Sequence, residues 1–131
     1  METEFKVIIA GGRDFDPTEN EKQVKQLNEF FVYNEASEIV CGMAEGADRY
    51  GYYFATQNNY PVAEFEADWD THGKWAGNQR NEEMGDYADY LVALWDGKSK
   101  GTQHMINYMR KLGKPVEIIL YNQNESLKEW I

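Results

Sequence analysis

The run Phe5-Lys6-Val7-Ile8-Ile9-Ala10, followed at once by Gly11-Gly12-Arg13-Asp14-Phe15, decides how this chain is read. A short, nearly unbroken apolar segment that stops at two glycines has the form of a buried strand delivering into a tight turn. The same unit returns along the chain. Apolar runs stand at 38–41 (EIVC), 61–65 (PVAEF), 90–95 (YLVALW) and 115–120 (PVEIIL). The connecting segments 18–33, 47–58, 78–87 and 102–112 space their apolar residues by three and four, as in Val24, Leu27, Phe31 and again in Met105, Ile106, Met109, Leu112. Strand and helix therefore alternate. This predicts an α/β domain with a parallel, doubly wound sheet of five strands and helices on both faces, because right-handed crossovers place them there.

Local signals agree at the boundaries. Asp16-Pro17-Thr18 is expected to open the first helix with a proline and a capping hydroxyl, and Gly113-Lys114-Pro115 to close the fourth with a C-terminal glycine followed by proline. The 131 residues are about one ordinary domain, and no linker, repeat or low-complexity tract divides them, so one domain over 1–131 is expected. A short closing helix is expected over 122–131, with Ser126 as cap and Leu127 and Trp130 apolar.

A composition of 42% hydrophobic and 15% aromatic residues excludes a disordered tail. The 23 acidic residues outnumber the 13 basic ones, leaving a net charge of -10 that repels phosphate backbones and speaks against a nucleic-acid partner. No apolar run approaches the roughly 20 residues of a membrane span. The start Met1-Glu2-Thr3-Glu4 is unlike a signal peptide, so a soluble, cytoplasmic protein is expected. The lone Cys41, in the apolar run Ile39-Val40-Cys41, reads as a buried structural thiol.

In an open parallel sheet, ligands bind beyond the carboxyl ends of the strands, where the strand order reverses. The segments that follow the strands are thus the candidate site. Gly11, Gly12 and Arg13 offer a bare backbone and a cation, although Gly11-Gly12 also serves as plain turn chemistry. Gly42 to Gly46 makes a second candidate cradle, leading into Ala47 and Asp48 at a helix start. Asp48 fits either a ligand hydroxyl or the helix macrodipole. Asp96-Gly97-Lys98-Ser99-Lys100-Gly101-Thr102 sets two ammonium groups and two hydroxyls around glycines at a helix N-terminus. Both a phosphate cradle and a solvated turn fit that loop, which lacks the Walker A spacing. Trp69, His72, Trp75, Asn78, Arg80 and Asn81 form a polar and aromatic row able to stack a base and bond its edge, with Arg80 the weightiest. Packing is the plainer reading of the aromatics and a structural role that of His104. Two histidines and one cysteine compose no zinc pattern, the carboxylates no calcium loop, and no cofactor fingerprint or nucleophile elbow is legible.

Four motifs in order, GGRDF (11–15), CGMAEGAD (41–48), NQRNEEM (78–84) and LWDGKSKGT (94–102), resemble the YspA-type, YpsA-related branch of the SLOG superfamily, over about residues 5 to 120. The resemblance implies a Rossmann-like fold with strand order 3-2-1-4-5, recognition of a nucleotide-derived ligand and assembly into homo-oligomers. The branch is often found in phages and bacteria. Its relatives include the LONELY GUY phosphoribohydrolases, molybdenum-cofactor carrier proteins and the DNA-binding DprA group. The hydrolases carry PGGxGTxxE and RKxxM. Arg80 and Met84 match the second element and Gly101-Thr102 the GT of the first, but the catalytic glutamate falls on Met105 and the PGG has no counterpart. A methionine neither stabilises an oxocarbenium ion nor handles a proton. Three functions follow, in this order: a binding or sensing module for a nucleoside phosphate or ADP-ribose-like ligand; an N-glycosidic hydrolase using Asp14, Glu45, Asp48 or Asp96 as a relocated acid; and a single-strand DNA binder, against which the net charge counts.

Overall fold

The computed structural model describes residues 4–122. Five strands, β1 (Lys6–Gly11), β2 (Glu38–Cys41), β3 (Val62–Glu64), β4 (Tyr90–Trp95) and β5 (Val116–Leu120), alternate with helices α1 (Glu21–Tyr33), α2 (Ala47–Gln57), the short α3 (Trp69–His72), α4 (Ala76–Tyr87) and α5 (Lys100–Lys111). The sheet is parallel throughout, in the order β3-β2-β1-β4-β5. Ile8 stands opposite Val40 on one side and Leu91 on the other. The doubly wound α/β fold and its strand order are thus those expected. The closing helix expected over 122–131 lies, from 123 onward, outside the described residues.

Alternation along the central strands divides the core in two. Val7, Ile9, Ile39, Cys41, Val92 and Leu94 face α1 and α2, where Leu27, Phe31, Phe54 and Ala55 meet them. Ile8, Ala10, Val40, Leu91 and Ala93 face the other way, onto Met84 of α4 and Met105, Ile106 and Met109 of α5. The strands are apolar on both faces because helices cover both. Cys41 is fully buried in the first cluster, and its burial pushes the thiol up to about 12, so it is an inert packing group.

The start of α1 differs from the expectation. The Asp16 carboxylate accepts from the amide of Thr18 at 2.9 Å and from its hydroxyl at 2.7 Å, which folds the Asp-Pro-Thr segment into a turn. This local side-chain bonding offers the backbone an alternative to helix, and α1 begins only at Glu21, behind the buried Asn20. The stretch after β3, outside the helical segments expected from the sequence, holds α3, capped by Asp68 accepting from the Thr71 amide at 3.1 Å. A 3-10 turn, Gly73–Trp75, leads from it into α4. The end of α5 is as expected. Gly113 takes φ +73, its amide donates to Arg110 O at 3.0 Å, and the Lys114 amide donates to Met109 O at 2.9 Å, which is a Schellman ending.

Candidate functional site

The neighbours of β1 are β2 and β4, whose connections leave in opposite directions, so a cleft opens beyond the carboxyl ends of β1 and β4. Its volume is about 450 Å³. Ten of the residues expected to hold the ligand line it: Gly11, Gly12, Arg13, Asp48, Arg80, Asn81, Asp96, Ser99, Gly101 and Thr102. The turns at 11–15 and 96–102 both line this cleft, and the first leaves β1 beside the end of β4, where the Gly12 amide donates to Leu94 O at 3.1 Å.

Packing accounts for the glycines on the first strand. A Cβ on Gly11 would collide with the Leu94 carbonyl, and one on Gly12 with the Tyr121 hydroxyl. Gly46, at φ +76, has no room beside the Gly12 carbonyl, which also accepts from the Ala47 amide at 3.0 Å. The first two glycine turns are therefore docked on each other. Gly46 and Ala47 support the cleft from behind it, while Gly42 lies beneath Arg80 and Asp48.

A string of buried polar groups crosses the floor. Asp48 is 4% exposed and Arg80 9%, and their charged atoms stand 4.0 Å apart. Arg80 Nη1 donates to the Gly42 carbonyl and Nε to Asn81 Oδ1 at 3.2 Å, and Asn81 Nδ2 donates to the Gly101 carbonyl at 3.2 Å. The Asp48 carboxylate accepts from the Ala44 amide at 3.2 Å and from the Gly11 amide. Even so, loss of water raises its pKa to about 6, because burial outweighs the attraction of Arg80 and the two amides. Burial also lowers the pKa of Arg80.

The turn after β4 is narrower than its sequence suggests. Asp96 Oδ1 accepts from the amides of Lys98 and Ser99, each at 2.8 Å, and these bonds hold the Asp96 carboxyl below its ordinary range against the cost of desolvation. Two amides of the expected cradle are thus occupied from within. Gly97 and Lys98 are exposed and lie outside the cleft lining, and Lys100 is an exposed first residue of α5. What remains toward the cleft is Ser99, Gly101 and the buried Thr102, whose hydroxyl donates to Ser99 Oγ at 3.3 Å.

The four candidate acids stand differently. Asp14, Asp48 and Asp96 line the cleft, whereas Glu45 is exposed and lines a neighbouring hollow. Asp14 Oδ1 accepts from the Tyr121 hydroxyl at 2.6 Å. Tyr121 is fully buried and was not foreseen, since nothing near Asp14 in the sequence announces a partner 107 residues away. Met105, at the position of the hydrolases' glutamate, lines the cleft, as do Ala44, Gly77 and Asn78. Neither His72 nor His104 is part of that lining, and His104 Nε2 stands 3.5 Å from Glu82. Among the described residues no group of three His, Cys, Asp or Glu could hold a metal ion.

Comparison with known proteins agrees with the fold. The family model of YAcAr, the YspA, cpYpsA-related SLOG family, matches residues 5–72. The chain belongs to this family. The match covers β1 to α3 and so includes the first two turns of the cleft and Asp48. This SLOG chain is similar to the gene 61 protein of Mycobacterium phage D29, at 39% identity over 84 residues, 60% of the chain and 67% of that protein. Its fold resembles that of DNA processing protein A (DprA) from Streptococcus pneumoniae, with a TM-score of 0.71 at 15% identity. The likeness covers 96% of the SLOG chain and 53% of the DprA chain, so the chain spans about half of that structure's length. At that identity the likeness is one of fold, and the fold is Rossmann-like. No helix among the described residues is long and apolar enough to cross a membrane.

Proposed function

We propose that the chain binds a nucleotide-derived ligand, a nucleoside phosphate or an ADP-ribose-like molecule, in the cleft between β1 and β4. The observation that carries this reading is the Asp48–Arg80–Asn81 string, in which two charged groups are kept out of water beneath a ligand-sized cleft at the switch point. Arg13, exposed at the mouth, supplies a cation, and Gly101 with Thr102 gives the phosphate a helix start to lie against. Asp14 and Asp48 are acceptors suited to sugar hydroxyls. The net charge of -10 stands against single-stranded DNA as the ligand.

Calorimetry with AMP and adenosine tests the reading. Charge-assisted bonds of about 1.5 to 3 kcal/mol each should make AMP bind tenfold or more tightly than adenosine. A Cβ at Gly101 meets nothing within 4 Å, so Gly101→Val should keep the fold and abolish AMP binding. Equal affinities for the two compounds would leave the turn after β4 an ordinary solvated one.

One observation favours hydrolysis as the second reading. Burial raises the Asp48 carboxyl to about 6, toward the range in which a general acid holds its proton, at a position that lines the cleft. Chromatography of AMP incubated with the protein decides it, since release of free adenine would make this an enzyme despite Met105.

A further inference from the structure

A second hollow of about 530 Å³ opens on the same edge of the sheet, among the turn after β2, the first turn of α2 and α3. It shares Arg13, Ala44 and Arg80 with the β1–β4 cleft, so these residues stand between the two. The chain has four arginines, Arg13, Arg49, Arg80 and Arg110. Three of them line this hollow, against the two carboxylates of Glu45 and Glu66. Arg80 answers the buried Asp48, so the exposed Arg13 and Arg49 are the solvent-facing cations of this hollow, two of the four arginines gathered at one place in a chain of net charge -10.

An aromatic surface faces the same place. Trp69 lines the second hollow and is 52% exposed. The tip of its indole lies 3.7 Å from where a Cβ on Gly77 would stand, and Gly77 lines the first cleft. The ring therefore reaches from one hollow toward the other, with Arg49 of α2 on the second hollow's rim. Exposed indole beside guanidinium groups is a platform for a flat, electron-rich base next to a phosphate. Each hollow is of ligand size by itself, so the pair offers more room than a mononucleotide needs.

We propose that the two hollows hold the two ends of one ligand, a nucleoside diphosphate extended by a second sugar. Its base stacks on Trp69, its two phosphates pass from Arg13, with Arg49 on the same hollow, to the start of α5 at Gly101 and Thr102, and its far sugar enters the β1–β4 cleft beside Asp14 and Asp48. This rests on the reading of that cleft as a site for a nucleotide-derived ligand, and adds that a mononucleotide fills only part of it.

Calorimetry on the full chain with ADP-ribose, AMP and ribose 5-phosphate tests it. Joining the halves should bring ADP-ribose to an affinity on the order of 100-fold above that of either half, because the second contact becomes intramolecular. Trp69→Ala should weaken ADP-ribose about tenfold and leave ribose 5-phosphate unchanged. Arg49→Ala, also at an exposed position, should weaken ADP-ribose and spare ribose 5-phosphate. If AMP binds as tightly as ADP-ribose, or if Trp69→Ala leaves ADP-ribose untouched while ribose 5-phosphate still binds, the two-ended ligand is overturned and the single-cleft reading stands. If no phosphorylated compound binds, both are overturned.

Discussion

Asp48 shows most directly what the site costs the fold. Its carboxyl pKa moves from the ordinary 3.8 up to about 6 because water is withdrawn faster than Arg80, 4.0 Å away, can compensate. Between those values the folded chain keeps a proton that the unfolded chain gives up. The contribution of this group to stability is therefore complete below about pH 4 and is lost as the pH rises through about 6. Asp48→Asn keeps the shape and removes the titration. Thermal melts of both proteins between about pH 4 and about pH 7.5 should show the native chain losing stability relative to the variant as the pH rises. Parallel curves would mean that Asp48 titrates in both states alike. The residue was legible as a site candidate from its place after a glycine turn, but its burial was not, because the groups that enclose it come from the first turn and from α4.

At the scale of elements, Lys114 does more than follow a helix. Its ammonium donates to the carbonyls of Gly85, Asp86 and Ala88 at 2.8, 3.2 and 2.7 Å, closing the C-terminal end of α4 from the turn after α5. Lys114→Met retains the apolar stem and leaves those carbonyls without their cation. A loss of at least about 1.5 kcal/mol is expected, seen as a lower urea midpoint at unchanged slope. An unchanged midpoint would show that water serves those carbonyls equally well. The end of α5 was legible in Gly113-Lys114-Pro115, whereas the Lys114 clasp was not, since it depends on how two helices lie together. The five strands were legible because burial on both faces demands near-continuous apolar runs, and the helices because an amphipathic face repeats every three or four residues. The start of α1 was misread at Asp16, where one carboxylate redirects the backbone. In the turn after β4, the charges of Lys98 and Lys100 stood out in the sequence, and the occupation of the loop amides by Asp96 did not.

Across the whole molecule, the large apolar groups left in solvent include Val32 and Tyr33 at the end of α1, 77% and 84% exposed, and Tyr53 on α2. Both helices cover one face of the sheet, and aromatic side chains on such a face are the kind that homomeric interfaces bury. We propose association of the chain with itself through this face. Light scattering at micromolar concentration should report an assembly larger than one chain, reduced by Tyr33→Lys, and a monomer at every concentration would refute it. The bond from Tyr121 to Asp14 acts at the same scale. The first turn of the sheet is laid down within fifteen residues, yet one of its acids is held by a side chain that follows the last strand. A contact so distant along the chain forms only after the intervening strands have found their places, since its loop-closure entropy must be met by them. The first turn of the site therefore takes its final form only when the segment behind β5 is in place, and a ligand that meets Asp14 in its held position meets the assembled sheet.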